Sequence, residues 1–399
     1  MKSIKKPAFA KAMAGEQIKN LKKAAEKIKR AIKNKEKIIL YGDADLDGMA
    51  SVIILKEAIK NFDVYHQVVH IYFPDRETED YGLNEDALIY LKKYAPALLV
   101  ILDCGIGNLK EAKMANKLGF EVIIIDHHVP LKKLPQASII VNPKQKGDKY
   151  PFKEFANAGL VFRLIEVLLK RKLSASLRNN FLELTALATI ADMMVQTEDN
   201  LEFLGEGLVS LKETVRPGLR VFWQLFGEDS SSQAIAQKII SACHAGGTRN
   251  HLNEGYLLLT ATSLKEAESA AKDLLEKAAL RQAKIKEVTG EIEQRLGEEV
   301  IIFEGDEFWP VLMLGPAASR IIQSQKKPVF LYNYKNGYCQ GAVRTPPGID
   351  GVKAMAHCSK LLELYGGHPQ AAGFKVKEKN LHKFKNCLIK YFAHAKKSK

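Results

Sequence analysis

Apolar and polar positions alternate along the first third of the chain in two distinct patterns. Four short, continuously apolar runs have the length and composition of buried strands: 37–41, 97–102, 121–125 and 138–141. Three amphipathic stretches lie between them, with apolar residues every three or four positions, and predict helices: 49–62, 84–94 and 108–118. Continuous apolar strands that alternate with helices are typical of a parallel sheet with helices on both faces. The pattern therefore predicts an α/β fold built on a parallel sheet.

The rest of the chain divides into segments of different character. Lysine-rich residues 16–36 predict a helix, and the pattern is helical again through 156–172 and 174–194. A long charged amphipathic segment at 263–297 predicts a connecting helix, and short strands return from Val300 onward. We therefore expect four parts: a basic N-terminal helix (1–36), a catalytic domain (37–262), a connecting helix (263–297) and a smaller α/β domain with a basic tail (298–399).

The formal charge of +14 is concentrated at the two ends of the sequence. Residues 1–37 carry a net charge of +10 and residues 375–399 a net charge of +8, so the part between them is mildly acidic, at −4. Basic ends often bind polyanions such as nucleic acid, although a solvated helix face accounts for them equally well. No apolar run approaches the roughly 18 residues that a membrane span needs. We therefore expect no membrane partner.

The five cysteines are an odd number and lack the CxxC spacing of a zinc site. We expect no disulfide framework from them. The basic N-terminus is followed by no apolar segment of the kind that a secretory signal carries. Both observations favour a cytoplasmic location.

Acidic and imidazole side chains follow directly after three of the predicted strands, and one more carboxylate follows an apolar stretch. They are Asp43, Asp45, Asp47, Asp103, Asp126, His127, His128 and Asp192. In an open parallel sheet, ligands bind at the carboxyl ends of the strands. Carboxylates crowded into a cleft repel one another and need cations. A mixture of carboxylate and imidazole suits Mn²⁺, with Mg²⁺ next and Zn²⁺ third, and two such ions would activate water for phosphoester hydrolysis.

Two local motifs have other interpretations. The sequence DADLDG at 43–48 matches the start of an EF-hand calcium loop, but Ile54 stands at the twelfth position, where that loop needs Glu, and a strand precedes it. Gly105 and Gly107 resemble a dinucleotide-binding loop that lacks its third glycine. A single Asp at a strand end is commonly a helix cap, whereas capping does not explain an adjacent histidine pair.

Four of these sequences, in this order, resemble the motifs of the DHH phosphoesterase family: 43–48, Asp103 in its strand-end turn, 126–128 and 188–192. The sequence GGHPQAAGF at 366–374 resembles the signature of the DHH-associated C-terminal domain, in the form typical of the RecJ branch. Five further segments fit that branch: 74–82, 150–153, 216–219, 318–320 and 341–344. The resemblance extends from about residue 20 to residue 390.

The resemblance implies two divalent metal ions, Mn²⁺ or Mg²⁺, and assigns roles by position. The metal-binding set would be Asp43, Asp45, Asp47, Asp103, His127 and Asp192. Asp103 would bridge the two ions. His128 would face the scissile phosphate and stabilise transition-state charge, and Asp126 beside it is the second catalytic candidate. The residues that hold substrate phosphates would be Arg76, Arg320, Arg344, Gly366, Gly367 and His368.

In function, the resemblance implies an exonuclease that degrades single-stranded DNA from its 5′ end to 5′-mononucleotides, in DNA repair or recombination. The partner would be single-stranded DNA, with short RNA as a second candidate. Two alternatives stay open: a nanoRNase or 3′,5′-bisphosphate nucleotide phosphatase of the same family, and a non-catalytic replication scaffold, against which the intact ligand set argues. The chain departs from the branch at 242–249, at Pro310 and at Ala342, positions that lie near the substrate in the family.

Overall fold

The computed structural model describes residues 17–65, 68, 70–76, 78–79, 81–227 and 229–397. These residues divide into two compact units, the first ending at Ala278 and the second beginning at Ala279. The 31-residue helix Leu264–Gln294 contains the boundary between them. Each unit has its own sheet and its own apolar core.

The first unit is built from helices and short strands. In chain order they are α1 (Leu21–Lys33), β1 (Ile38–Gly42), α2 (Leu46–Phe62), β2 (His70–Tyr72), α3 (Glu85–Leu91), β3 (Ala97–Leu102), α4 (Leu109–Lys117), β4 (Phe120–Ile125), β5 (Ile139–Val141), α5 (Asn157–Leu169), α6 (Ala175–Ala191), α7 (Glu198–Ser210), α8 (Pro217–Phe226), α9 (Ser232–Cys243), β6 (Thr248–Arg249), β7 (Leu252–Asn253), α10 (Glu254–Leu259) and the start of α11 (Leu264–Gln294).

Five strands of this unit form a parallel sheet in the order β2-β1-β3-β4-β5, which confirms the predicted fold class. The sheet separates two apolar layers, because successive side chains of a strand point to opposite faces. Leu40 of β1 packs into the layer that includes α1, α2, α5 and α6, whereas Ile39 and Tyr41 pack with α3 and α4. Each fully buried aliphatic side chain contributes about 1.5–3 kcal/mol.

The second unit contains the remainder of α11 followed by a smaller α/β arrangement. Its elements are β8 (Ile302–Gly305), α12 (Val311–Gln325), β9 (Val329–Lys335), β10 (Tyr338–Arg344), α13 (Gly351–His357), β11 (Leu362–His368), β12 (Ala371–Lys377) and α14 (Leu381–Lys397). The sheet order is β11-β12-β10-β9-β8, with β8 parallel to β9 and the other neighbours antiparallel. Phe330 faces the layer of α13 and α14, and Leu331 faces the layer of α11 and α12.

The sequence pattern does not predict two features of the fold. Strand β2 is a three-residue edge strand, too short for its pattern to stand out. The short hairpin of β6 and β7 turns at Asn250 and His251, which both have positive φ, at +50° and +62°. Two successive left-handed residues are the geometry of a tight two-residue hairpin turn, here without the glycine that usually marks one.

The cysteine count predicts no disulfide framework, and the structure contains a single disulfide bond among the described residues. Cys358, at the end of α13, is bonded to Cys387 in α14, and the three others (Cys104, Cys243 and Cys339) are free and buried. An odd number of cysteines excludes only that all of them are paired, so it is compatible with one disulfide bond. The separation of 29 residues between the two cysteines matches no motif that would identify them as a pair.

None of the described helices is both long enough and apolar enough to span a lipid bilayer.

Helix α7 approaches α6 closely at Gly207. A Cβ atom placed on Gly207 would lie 2.3 Å from the backbone oxygen of Leu182 and 2.6 Å from the Cβ of Ala186. A Cβ atom placed on Gly205, one half-turn earlier on the same helix, would meet no described atom within 4 Å outside that helix. The glycine at 207 is therefore required by helix packing, and the glycine at 205 is not.

We predict that Gly207→Ala destabilises the chain by about 1–3 kcal/mol because the two helices must separate. Gly205→Ala is the matched control, and we expect it to be neutral or stabilising by up to about 1 kcal/mol because alanine favours a helix. Urea unfolding of both variants measures the difference. Equal stability of the two variants would contradict the close packing of α6 and α7.

Candidate metal centre

Three aspartates occupy equivalent places at the ends of three neighbouring strands. Asp43, Asp103 and Asp126 follow β1, β3 and β4, and all three are buried. Each donates its backbone N–H to the strand beside it, Asp43 to Leu102 at 3.2 Å and Asp103 to Ile125 at 3.0 Å. The parallel register of the sheet therefore carries these carboxyl groups to one edge.

The turn between β1 and α2 adds two more carboxylates and depends on Gly48. Asp45 caps α2, since its Oδ1 accepts a hydrogen bond from the Gly48 N–H at 3.0 Å. A Cβ atom on Gly48 would lie only 2.2 Å from the backbone oxygen of Asp43. The glycine therefore permits the chain to fold back tightly enough to place Asp43, Asp45 and Asp47 together.

Asp47 is held in place by the first turn of another helix. Its Oδ2 accepts a hydrogen bond from the backbone N–H of Asn157 at 2.6 Å, and its Oδ1 accepts one from Ala158 at 2.7 Å. Both donors lie at the N-terminus of α5, where unpaired N–H groups and the helix dipole favour an anion. This arrangement fixes the orientation of the Asp47 carboxylate.

Asp103 has a backbone conformation that is unusual for its residue type. Its φ is +65°, in the left-handed region. Among the described residues, its buried Oδ1 has no hydrogen-bond partner, although the Nε2 of His127 lies 3.2 Å away. Residues held in such strained conformations cluster at functional sites, and a buried oxygen without a donor is suited to bind a cation.

His127 presents one ring nitrogen to three of the carboxylates. Its Nδ1 lies 2.7 Å from the backbone oxygen of Phe155, which assigns the proton to Nδ1. Its Nε2 lies 3.2 Å from Oδ1 of Asp103, 3.5 Å from Oδ2 of Asp192 and 3.8 Å from Oδ2 of Asp47. An imidazole nitrogen among carboxylate oxygens matches the donor set of a divalent metal.

The acidic and imidazole groups form adjoining sets that could each hold an ion. Within each set one ligand atom per residue lies within 4.8 Å of the others. The first set is Asp47, His127 and Asp192, and the second is Asp43, Asp45 and Asp103. A further group, Asp103, Asp126 and His128, also meets this distance, but there the Nδ1 of His128 is hydrogen-bonded to Asp126. Asp103 also lies against His127 of the first set, so it stands where the two sets meet. The donors present therefore fit two divalent ions.

The electrostatics of the carboxylates also favour bound cations. Burial and the neighbouring carboxylates raise the pKa of Asp47 and of Asp103 well above the usual range. Burial and the nearby Asp45 raise the pKa of Asp192 to about 7. These groups repel one another when ionised, and a divalent ion between them would remove that cost.

Arg76 lies against the carboxylates. It donates from Nε to Oδ1 of Asp43 at 3.1 Å and from a terminal nitrogen to Oδ2 of Asp45 at 3.1 Å. Although burial acts in the opposite direction, the Arg76 charge holds the pKa of Asp45 below its usual range. The structure thus brings this predicted phosphate contact to the second set of ligands.

Asp126 acts on His128. Its Oδ1 accepts hydrogen bonds from the backbone N–H of His128 at 3.0 Å and from the ring Nδ1 at 2.8 Å, and its Oδ2 accepts from the Ile106 N–H at 2.9 Å. Burial alone lowers the pKa of His128, but the Asp126 carboxylate outweighs it and raises that pKa to about 9. Asp126 is therefore placed to position a cationic His128.

The predicted substrate-binding residues of the second unit lie at one end of its sheet, with one exception. Arg344 and His368 are both register partners of Ala371, and Gly367 takes a φ of +126° that suits glycine. Arg344 donates from Nε to the hydroxyl of Ser319 at 3.1 Å. Arg320 instead donates to Oε1 of Gln282 on α11 at 2.5 Å.

Gly366 lies beside the same strand end and leaves open space. A Cβ atom on Gly366 would have no described atom within 4 Å. The residue opposite Gly366 on β12 is also a glycine, Gly373. The small side chains here leave the backbone of β11 accessible.

Several residues of this centre gave no clear signal in the sequence. The Phe155 carbonyl and the N–H groups of α5 are backbone atoms, which a residue pattern does not reveal. The Tyr81 hydroxyl lies 3.4 Å from Nε2 of His128, a contact that the resemblance of its segment to the RecJ branch does not by itself predict.

Two family models match the chain. The model of the DHH family, N-terminal domain, matches residues 37–189, and the model of the DHHA1 domain matches residues 297–394. The single-stranded-DNA-specific exonuclease RecJ of Bacillus subtilis is 32% identical over 93% of this chain and 48% of its own length. The chain spans about half the length of the first curated relatives that it matches.

Solved structures give a similar result. The crystal structure of RecJ from Thermus thermophilus in complex with Mn²⁺ has a TM-score of 0.81 at 26% identity, covering 96% of this chain and 56% of that one. A crystal structure of exonuclease RecJ bound to manganese has a TM-score of 0.75 at 29% identity, covering 94% of this chain and 95% of that one.

We predict that Asp103→Asn separates metal binding from folding. In EDTA the variant should melt at the same temperature as the unaltered chain or higher, because one repelling charge is gone. Added Mn²⁺ should raise the melting temperature of the unaltered chain by about 5 °C or more, and that of the variant by less than about half as much. Differential scanning calorimetry measures both, with exposed Glu268→Gln as the control. An unchanged Mn²⁺ response in Asp103→Asn would contradict the ligand assignment.

Proposed function

Because this chain belongs to the DHH family and carries a DHHA1 domain after its DHH domain, we propose that it is a metal-dependent phosphodiesterase. Its specific activity would be the 5′-to-3′ exonucleolytic hydrolysis of single-stranded DNA, with release of 5′-mononucleotides. The relatives named single-stranded-DNA-specific exonuclease support this choice of substrate. Repair or recombination of DNA is the process in which such an activity would serve.

The observation that carries the proposal is the pair of three-ligand sets that meet at Asp103. Two divalent ions in such sites supply a nucleophilic water and hold the attacking and leaving oxygens of a phosphodiester. The residues that would hold them are Asp47, His127 and Asp192 on one side and Asp43, Asp45 and Asp103 on the other. Mn²⁺ or Mg²⁺ suits these oxygen-rich sets.

The chain's own residues prepare the site for an anionic substrate. Phe155 holds His127 with its Nε2 directed at the carboxylates, and α5 holds Asp47. Asp126 keeps His128 charged and oriented, so that His128 can donate to the phosphoryl oxygens as negative charge develops. Arg76 adds a second fixed positive charge at the same edge of the sheet.

In the second unit we assign phosphate contacts to the strand end formed by β10, β11 and β12. Arg344 supplies a guanidinium, His368 an imidazole, and Gly366 and Gly367 supply backbone N–H groups that a phosphate can approach closely. Arg320, paired with Gln282, would join them as the substrate binds. These residues would hold successive phosphates of the strand.

The test of the proposed function is a degradation ladder. Oligonucleotides of about 30 nucleotides, labelled at either the 5′ or the 3′ end, would be incubated with the chain and Mn²⁺, with Asp103→Asn as the inactive control. We expect a 5′-labelled strand to release its label as a mononucleotide in the first cleavage. A 3′-labelled strand should shorten stepwise. Parallel reactions with RNA and with a dinucleotide measure substrate class. Hydrolysis of the dinucleotide alone would favour the nanoRNase alternative, and no hydrolysis at all would contradict the proposal.

We predict that Asp126→Asn lowers kcat for a single-stranded oligonucleotide by about 10- to 100-fold with little change in KM. Without the Asp126 carboxylate, His128 is no longer held in place to stabilise the charge that develops in the transition state, whereas substrate binding is unaffected. The Mn²⁺-induced rise in melting temperature should be retained, since both Asp126 oxygens are already engaged by hydrogen bonds from His128 and from the Ile106 N–H. Asp126→Glu, which keeps the charge, should recover part of the rate. A loss of Mn²⁺ binding in Asp126→Asn would show instead that Asp126 is a ligand.

A further inference from the structure

A cluster of positive charge lies at the opposite end of α2 from the metal centre. Residues from three separate segments meet around the ring of Phe62, the last residue of that helix. The Nζ of Lys29, from α1, lies 5.7 Å from the ring centroid, and the Nζ of Lys172 lies 4.7 Å from it. Lys172 also donates to the backbone oxygen of Phe62 at 2.6 Å.

These contacts define a surface that we call the basic face. It comprises Lys29 and Lys172, which lie over the Phe62 ring, together with Lys33 in the last turn of α1, Lys60 in the last turn of α2, and Lys170 and Arg171 next to Lys172. All but Lys29 are exposed, and none forms a salt bridge with another described residue. The acid that follows Phe62 in the chain is Asp63, whose Oδ1 accepts a hydrogen bond from the backbone N–H of Tyr65. Tyr65 is itself 92% exposed beside the cluster.

Helix dipoles explain part of this arrangement. The helices α1, α2 and α5 all end at this surface, and a cation near a helix C-terminus contributes about 0.3–1 kcal/mol. That effect accounts for one or two cations per helix. It does not explain why the ammonium groups of Lys29 and Lys172 lie over the same ring, that of Phe62. No described carboxylate forms a salt bridge with either lysine. Uncompensated charge from three segments is typical of a surface that binds a polyanion.

We infer that the basic face is a second nucleic-acid contact, which binds the phosphate backbone of a strand outside the metal centre. Its central residue, Phe62, lies about 22 Å from Asp47 along the axis of α2, because each residue of an α-helix adds about 1.5 Å. A dinucleotide in the metal centre cannot reach it, whereas a long strand can. The choice of nucleic acid as the occupant rests on the proposed function, and the exposed Tyr65 ring offers a base a surface for stacking.

The test compares two triple variants of equal charge change. Lys33→Glu, Lys60→Glu and Arg171→Glu alter exposed positions of the basic face. Lys92→Glu, Lys113→Glu and Lys117→Glu form the matched control, at exposed positions on the α3 and α4 side of the sheet. Binding of single-stranded DNA of about 30 nucleotides would be followed by fluorescence anisotropy in EDTA, between about 50 and 200 mM salt. Circular dichroism verifies that both variants fold.

We expect the basic-face variant to bind about tenfold more weakly at about 100 mM salt, with a salt slope reduced by about 2, as for three lost phosphate contacts. The control should bind within about twofold of the unaltered chain. With Mn²⁺ present, the basic-face variant should have a higher KM for the long strand and an unchanged rate on a dinucleotide.

Three outcomes would overturn the inference. The first is equal affinity of the two triple variants. The second is lower thermal stability of the basic-face variant without loss of DNA binding, which would assign the charges to the helix dipoles. The third is charge-dependent binding to phosphatidylserine vesicles with no change in DNA affinity. Because the binding assay contains EDTA, a chain that binds DNA through this face but hydrolyses nothing would contradict the proposed function and leave this inference standing.

Discussion

Mutual repulsion among buried carboxylates is the constraint around which the first unit is arranged. Asp43, Asp103 and Asp126 are brought to one edge by three adjacent parallel strands, and the turn before α2 adds Asp45 and Asp47. Burial and this crowding raise the pKa of Asp47 and Asp103. Such a cluster costs stability unless positive charge offsets it, and bound divalent cations would supply that charge.

The surroundings of the cluster supply only part of the compensating charge. Arg76 offsets one of the two charges of Asp43 and Asp45, and His128 offsets the charge of Asp126. The N-terminus of α5 holds Asp47, while Asp103 and Asp192 each keep one buried oxygen without a hydrogen-bond donor among the described residues. The remaining deficit of positive charge lies among the carboxylates of both ligand sets, where two divalent ions fit. The protein thus fixes the ligands firmly and leaves their charge to be balanced by metal.

Sequence alone predicted the central part of this arrangement because it depends on local signals. Continuous apolar runs gave β1, β3 and β4, and the residues after them gave the carboxylates. The backbone partners were out of reach, since the Phe155 carbonyl and the α5 N–H groups become neighbours only through folding. The same is true of the Cys358–Cys387 bond and of the basic face, where Lys29 and Lys172 meet at Phe62 from segments far apart in the chain.

The most direct measurement of the central claim is anomalous scattering from a crystal of the chain grown with Mn²⁺, recorded at the manganese absorption edge. The account predicts two peaks, one among Asp47, His127 and Asp192 and the other among Asp43, Asp45 and Asp103, with Asp103 in contact with both. Arg76 should then have withdrawn from at least one of its carboxylate partners. A map in which these side chains stay as they are and no manganese lies between them would contradict the account.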